Sequence, residues 1–262
     1  MTVSETLELI LKRERVLVLI ALIAATALAW IYLVFTAAAM AHMPVETGNI
    51  MAVAQAKPWG TVDFALMFLM WVVMMVGMML PSATPTVLLF AATCRKSRER
   101  DGSFAPASAF VSGYLLTWTG FSLVATTIQW GLNEAALLSP TMVSASPLLG
   151  GCLLIGAGVY QWTPLKYACL KHCQSPLDFL TTHWRRGILG AQRMGLEHGV
   201  FCVGCCWVLM GLLFVGGVMN LLWIAAIAVF VLLEKLAPFG RLGGRVSGIA
   251  LALIGLAVLI RG

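Results

Sequence analysis

Three thiols and an imidazole share one stretch of apolar sequence, His198-Gly-Val-Phe-Cys202-Val-Gly-Cys205-Cys206. On a helix turning 100° per residue these four side chains fall within about a third of the circumference. Thiolate and imidazole are the donors that select Cu(I) or Zn(II). A second set, Cys169, His172 and Cys173, lies upstream in a basic segment opened by Pro164. Proline is favoured in the first turn of a helix, and a helix starting there puts Cys169 and Cys173 on one face at i and i+4. The expectation is that the two sets converge on one ion. Neither the C-x-x-C of Cys202 and Cys205 nor the C-x-x-x-C of Cys169 and Cys173 is specific by itself. The same thiols would serve a membrane thiol-disulfide oxidoreductase, with Cys169 or Cys173 as resolving partner. Cys94 and Cys152 stand alone and read as small packing hydrophobes.

A second pattern lies between Asp63 and Ser82, where six methionines occupy thirteen residues. Asp63, Met67, Met70, Met74 and Met78 form one narrow helical stripe, flanked by Trp71, Met75 and Met79. Thioethers are neutral, soft ligands, able to hold Cu(I) without placing an anion in a bilayer. Such a stripe is also a good helix-packing surface, because methionine fills irregular gaps. Asp63 reads either as a cation-attracting acid or as a helix cap. His42 and Met43, with Met40 and Met51 nearby, form a weaker candidate ligand group.

The elements that must position these residues are membrane helices. Sixty per cent of the residues are hydrophobic, 11% are charged and the mean hydropathy is +0.93, which leaves too little polar surface for a soluble globule. At about 20 residues per span the 262 residues accommodate about seven transmembrane helices in a single polytopic domain. The hydropathy places them near 16–39, 61–93, 107–131, 147–165, 198–218, 220–236 and 245–261, with residues 163–197 as a basic cytoplasmic loop carrying Cys169, His172 and Cys173. Pro81 and Pro85 predict a kink or break in the second span. The apolar run of the first span exceeds a signal-peptide core and is expected to be a retained helix.

Of 17 basic residues, 15 fall on one side of this arrangement; Lys57 and Arg261 are the exceptions. By the positive-inside rule the N-terminus is cytoplasmic and the C-terminus outside, as in a bacterial inner membrane. The net charge of +6 is then topology and lipid contact; no basic run interleaved with aromatics points to nucleic acid. Gln129, Asn133 and Glu134 are expected at the wet outer end of the third span, and Gln161 close in depth to the thiols as a supporting donor. Gly195, Gly199, Gly244 and Gly248 would let helices approach closely.

Three motifs carry a family resemblance: Met70-Trp71-x-x-Met74-Met75-x-x-Met78-Met79-Leu-Pro81-Ser82, Pro164-Leu-Lys166-x-x-Cys169-x-x-x-Cys173-x-x-Pro176, and Gly195-x-x-His198-Gly-x-x-Cys202-x-Gly-Cys205-Cys206-Trp207. Over roughly residues 60–260 the chain resembles a family of bacterial polytopic integral membrane proteins known as predicted metal-binding proteins. The resemblance implies a metal-associated membrane protein. No phosphate-binding loop or phosphorylatable aspartate motif is present, so any transport is expected to be passive, driven by ligand exchange or coupled to a partner. The expectation is a handler of a transition metal, Cu(I) before Zn(II), more than an enzyme. The partners expected are the bilayer, a metallochaperone or membrane complex, and a second copy of the chain. A subunit or assembly factor of a larger membrane complex is a further alternative.

Overall fold

The computed structural model describes residues 3–41, 59–101, 105–135, 137, 146–237 and 240–261. The described residues form helices and no strands: α1 Val3–Ala41, α2 Thr61–Asp101, α3 Ala107–Glu134, α4 Pro147–Tyr160, α5 Pro164–Gln174, α6 Pro176–Thr182, α7 Gly187–Gly211, α8 Leu213–Gly216, α9 Leu221–Leu236 and α10 Gly240–Arg261. His42, Met43, Met51 and Lys57 lie outside the described residues, as does the side chain of Met40.

Five of these helices are long and apolar enough to cross a bilayer, and a sixth crossing is reached if α4 and α5 are taken as one span bent by 65°. The sequence reading expected about seven. The difference lies in α9, whose 16 residues extend about 24 Å against a hydrocarbon core of about 30 Å. Residues 147–165, expected as one straight span, are divided by the bend after Tyr160. The segment 163–197, expected as a loop, is mostly helical. Pro164 and Pro176 each sit in a first helical turn, and the Thr163 side chain accepts the backbone N–H of Lys166 at 3.3 Å. Helix α7 begins eleven residues earlier than the expected span, at Gly187 with φ +78°.

Helix α2 runs unbroken through Pro81 and Pro85, so of the kink or break expected there it is the break that does not occur. A proline removes the N–H that would pair with the carbonyl four residues back. For Pro81 that carbonyl is Gly77, and the Trp30 indole of α1 donates to it at 3.2 Å. The carbonyl of Met79 receives both the Ser82 hydroxyl at 2.9 Å and the Tyr114 hydroxyl at 3.1 Å. Helix neighbours thus supply hydrogen bonds around the prolines, which is how such residues persist in apolar helices.

Packing centres on α2, α3 and α7. Helix α3 lies against α7 so closely that a Cβ on Gly113 would collide with the Gln192 carbonyl and one on Gly195 with the Phe110 carbonyl. Helix α5 covers α7 on another side, α4 packs against α10, and α1 leans on α2. The outer faces of α1 and α10 are largely uncovered apolar surface, with only 17% of each span window buried. Apolar surface of that extent suits lipid contact.

Candidate metal centre

The thiol motif of α7 is turned fully inward: Cys202, Cys205 and Cys206 are each 1% exposed and His198 is 2% exposed. Both Cys205 and Cys206 donate to the Cys202 carbonyl at 3.0 Å, the back-bonding available one helical turn away. Across the helix interface, the half-buried Cys173 thiol of α5 lies near enough to Cys202 and Cys205 to interact with both sulfurs, and Cys206 lies beside them on α7. Four sulfurs from two separate motifs are therefore neighbours. Cys169 approaches α7 at Gly204, where a Cβ would come within 2.7 Å of its sulfur, and the Tyr160 hydroxyl donates to the Gly204 carbonyl. All seven cysteines are free thiols. Cys94 is buried and Cys152 exposed, both apart from the cluster.

His198 sits in an aromatic cage, 5.9 Å from Phe110, 5.8 Å from Tyr114 and 5.1 Å from Phe179 between ring centres. Its Nδ1 is buried with no hydrogen-bond partner among the described residues. A buried imidazole nitrogen left unpaired beside thiols has the chemistry of a ligand in waiting.

Sequence reasoning missed the charged residues that meet this cluster. The ammonium of Lys235 on α9 lies 2.9 Å from the Cys202 sulfur and 3.1 Å from the Ser82 hydroxyl. Its neighbour Glu234 holds Lys166 of α5 at 2.7 and 2.8 Å, and Gln161 also accepts from Lys166. Lys166, Glu234 and Lys235 are 0%, 4% and 4% exposed. Lys166 and Lys235 thus belong to the interior and not, as the charge count assumed, to a wet inner face. Gln161 serves the ion pair and Ser247, at 3.2 Å, instead of the thiols.

The ligand set does not stand assembled. Among the described residues, no three His, Cys, Asp or Glu side chains are grouped so as to hold a metal ion. Two causes are visible in the hydrogen bonds. Cys205 and Cys206 are folded back onto the Cys202 carbonyl, and the Lys235 ammonium occupies the side of Cys202 that a cation would take. Turning two thiols about their Cβ–Sγ and Cα–Cβ bonds and moving one lysine would free the sulfurs. The donor set fits a soft monovalent ion: sulfur with imidazole, and no cluster of hard oxygen ligands.

The methionine stripe faces the interior as well. Met70, Met74, Met75, Met78 and Met79 are buried with Trp71, and Met67 is half-buried. At the other end of the stripe Gln129, expected to be wet, is fully buried; it accepts the Trp71 indole at 2.6 Å and its amide meets the Met67 sulfur at 3.9 Å. Asp63 accepts the Gly60 backbone N–H at 2.9 Å, which gives it the cap role. The stripe and the thiols are linked by two side chains. Tyr114 bonds the Met79 carbonyl and stands 3.1 Å from the Cys202 sulfur, while Lys235 joins Ser82 to that same sulfur.

At the inner end of this arrangement the half-buried His172 stacks on Phe201 at 4.0 Å. Burial, and then the neighbouring His183 and Lys171, lower its pKa below the usual histidine value, so the ring is neutral at neutral pH. His183 was not singled out by sequence, because nothing in Thr-Thr-His-Trp has ligand spacing.

Neither a curated protein nor a solved structure matches the chain. A family model does match, over residues 68–258, which takes in the methionine helix, α5 and the thiol helix. Its description concerns copper, and what it supports of the resemblance drawn from sequence is that copper relation. The chain belongs to the family described as PpoB2, copper chaperone.

Proposed function

We propose that the chain is a membrane-embedded copper chaperone in which Cu(I) is the cargo, held by Cys202, Cys205 and Cys206 with Cys173 and His198, and exchanged along the methionine face of α2. The observation that carries this reading is the meeting at one atom: the Cys202 sulfur is contacted by Tyr114, which is tied to Met79, by Lys235, which is tied to Ser82, and by Cys173. Met67, Met70, Met74 and Met78 supply neutral sulfur along the helix, and Asp63, whose Oδ2 caps the helix start, leaves its second carboxylate oxygen at the far end of the stripe to attract a cation. Cys169 and His172 stand between the cluster and the surface and receive the ion first from a partner. Thiolate and imidazole suit either metal, and the neutral thioethers are what favour Cu(I) over Zn(II).

In this reading α9 completes a seven-span bundle in a bacterial inner membrane, with the N-terminus and the thiol side cytoplasmic and the C-terminus outside. The buried charges of α5 and α9 fit that setting, because ionisable groups in apolar helices pair with one another or mark a pathway. Without a nucleotide-binding element the ion moves by ligand exchange, with a metallochaperone, a membrane complex or a second copy of the chain as the other party. Redox shuttling is disfavoured by burial. A thiol-disulfide exchanger must present its attacking sulfur to a partner, and the three α7 thiols are 1% exposed.

The test is anaerobic loading of the full chain in nanodiscs with Cu(I), compared with the Cys202→Ser/Cys205→Ser/Cys206→Ser variant. The expected result is copper bound through sulfur, read by elemental analysis and X-ray absorption, with that sulfur-bound copper lost in the variant. Equal sulfur-bound copper in the two proteins overturns the reading.

A further inference from the structure

Three of the four histidines of the chain gather where α5, α6 and α7 meet, and two of them form a pair outside the thiol cluster. The ring centres of His172 and His183 are 5.8 Å apart at 87° between planes. Each ring is held flat on a phenyl face: His172 on Phe201 at 4.0 Å and His183 on Phe179 at 4.9 Å. Both residues are half-buried, so the pair is reachable from outside where Cys202 is not.

The contacts of His183 suit one tautomer. Its Nδ1 lies 2.8 Å from the Thr182 hydroxyl and 3.2 Å from the Phe179 carbonyl. A carbonyl only accepts, so the contact to Phe179 is a hydrogen bond when Nδ1 carries the hydrogen, and the Thr182 hydroxyl has the Asp178 carbonyl at 2.7 Å and the Phe179 carbonyl at 3.2 Å for its own proton. In that tautomer Nε2 carries the lone pair. A ring nitrogen tied to a backbone carbonyl while the other is left free is how metal-binding histidines are oriented. Imidazoles bonded to an ion at about 2.0 Å have their ring centres about 3.1 Å from it. A 5.8 Å separation, which is also that of an edge-to-face ring contact, is within the span of two rings that share one ion at a wide angle. Cu(I) accepts two ligands at such an angle.

We propose that His172 and His183 form a second copper site, a two-imidazole receiving site that takes Cu(I) from a soluble donor and hands it through Cys173 to Cys202 and Cys205. The hand-off is a ligand exchange: the Cu–N bonds break as Cu–S bonds form, the thiol protons leave to solvent, and no electron is transferred. Binding at the imidazoles stands independently of the thiol reading; only the hand-off rests on it.

The experiment uses the full chain in nanodiscs with Cys169, Cys173, Cys202, Cys205 and Cys206 replaced by serine. Titrated anaerobically with Cu(I), this protein is expected to bind one ion through two nitrogen ligands by X-ray absorption, and the His183→Gln change in that background is expected to abolish binding. Absence of a nitrogen-bound ion, or binding indifferent to His183→Gln, overturns the proposal. A variant with all native thiols guards against misfolding: His183→Gln alone should slow Cu(I) uptake from a chromophoric chelator at least tenfold while the sulfur-bound copper reached at the end is unchanged. An unchanged rate overturns the proposal as well. The thiol reading is read out separately, by the sulfur-bound copper of the native chain against its triple-serine variant.

Discussion

The Lys235 ammonium rests 2.9 Å from the Cys202 sulfur, inside the bundle and 4% exposed. A buried cation beside a buried thiol neutralises whatever negative charge the sulfur carries, and it does so where a cargo cation would bind. Ammonium and Cu(I) are then alternatives at one position. The second tether of Lys235, to Ser82 on the methionine helix, means that its displacement is felt on α2 as well as α7.

Replacing Lys235 by methionine keeps the chain length and removes the competing charge. Cu(I) affinity is expected to rise about tenfold, or ~1.4 kcal/mol, in a competition titration against a chromophoric Cu(I) chelator. A weaker affinity in the variant would mean that the ammonium helps to hold the loaded site instead of contesting it.

The candidate ligand residues were legible because a helix has a fixed period: His198, Cys202, Cys205 and Cys206 had to share a face whatever the rest of the chain did. Cys169 and Cys173 were legible for the same reason once Pro164 marked a helix start. What could not be read was contact between helices. Lys166 and Lys235 entered the charge count as inner-face residues, since that rule weighs charge against sequence and not against depth. Glu234 was passed over though it interrupts an apolar run, which is the one local signal that α9 carries. The helices that follow residue 174 within 163–197 also escaped, because hydropathy finds apolar runs and not amphipathic helices lying beside them.

The Lys166 and Glu234 pair fastens α5 to α9 and so holds Cys173 against Cys202. Glu234→Leu leaves a buried ammonium unpaired, which costs about 3–5 kcal/mol. The melting temperature is expected to fall, and Cys173 should become alkylated faster by a maleimide. The double change Lys166→Met/Glu234→Leu removes both charges and is expected to recover most of the stability. Recovery of the melting temperature without slower alkylation would show that the charge pair, and not packing alone, docks α5.

Gly204 is a point of close approach between α5 and α7, with the Cys169 sulfur 2.7 Å from where a Cβ would stand. Gly204→Ala therefore forces α5 outward, and overpacking of this kind costs about 1–3 kcal/mol. Cys169 is expected to react faster with a maleimide than in the parent protein, and Cu(I) uptake should slow because Cys173 moves with the same helix. Unchanged reactivity of Cys169 would place the slack in α7 and not in α5.

The methionine face separates packing from ligation most cleanly, because leucine matches methionine in volume and lacks sulfur. Met74 and Met78 are 0% and 1% exposed, and Met→Leu changes of this kind usually cost less than about 1.5 kcal/mol. The Met74→Leu/Met78→Leu variant should melt close to the parent protein and bind the same amount of copper at the thiols. If the thioethers carry the ion along α2, exchange between the thiols and a Cu(I) acceptor on the opposite face of the nanodisc should slow at least tenfold. Exchange at the parent rate would leave the six methionines as filling for a helix that needs an adaptable surface around Pro81 and Pro85.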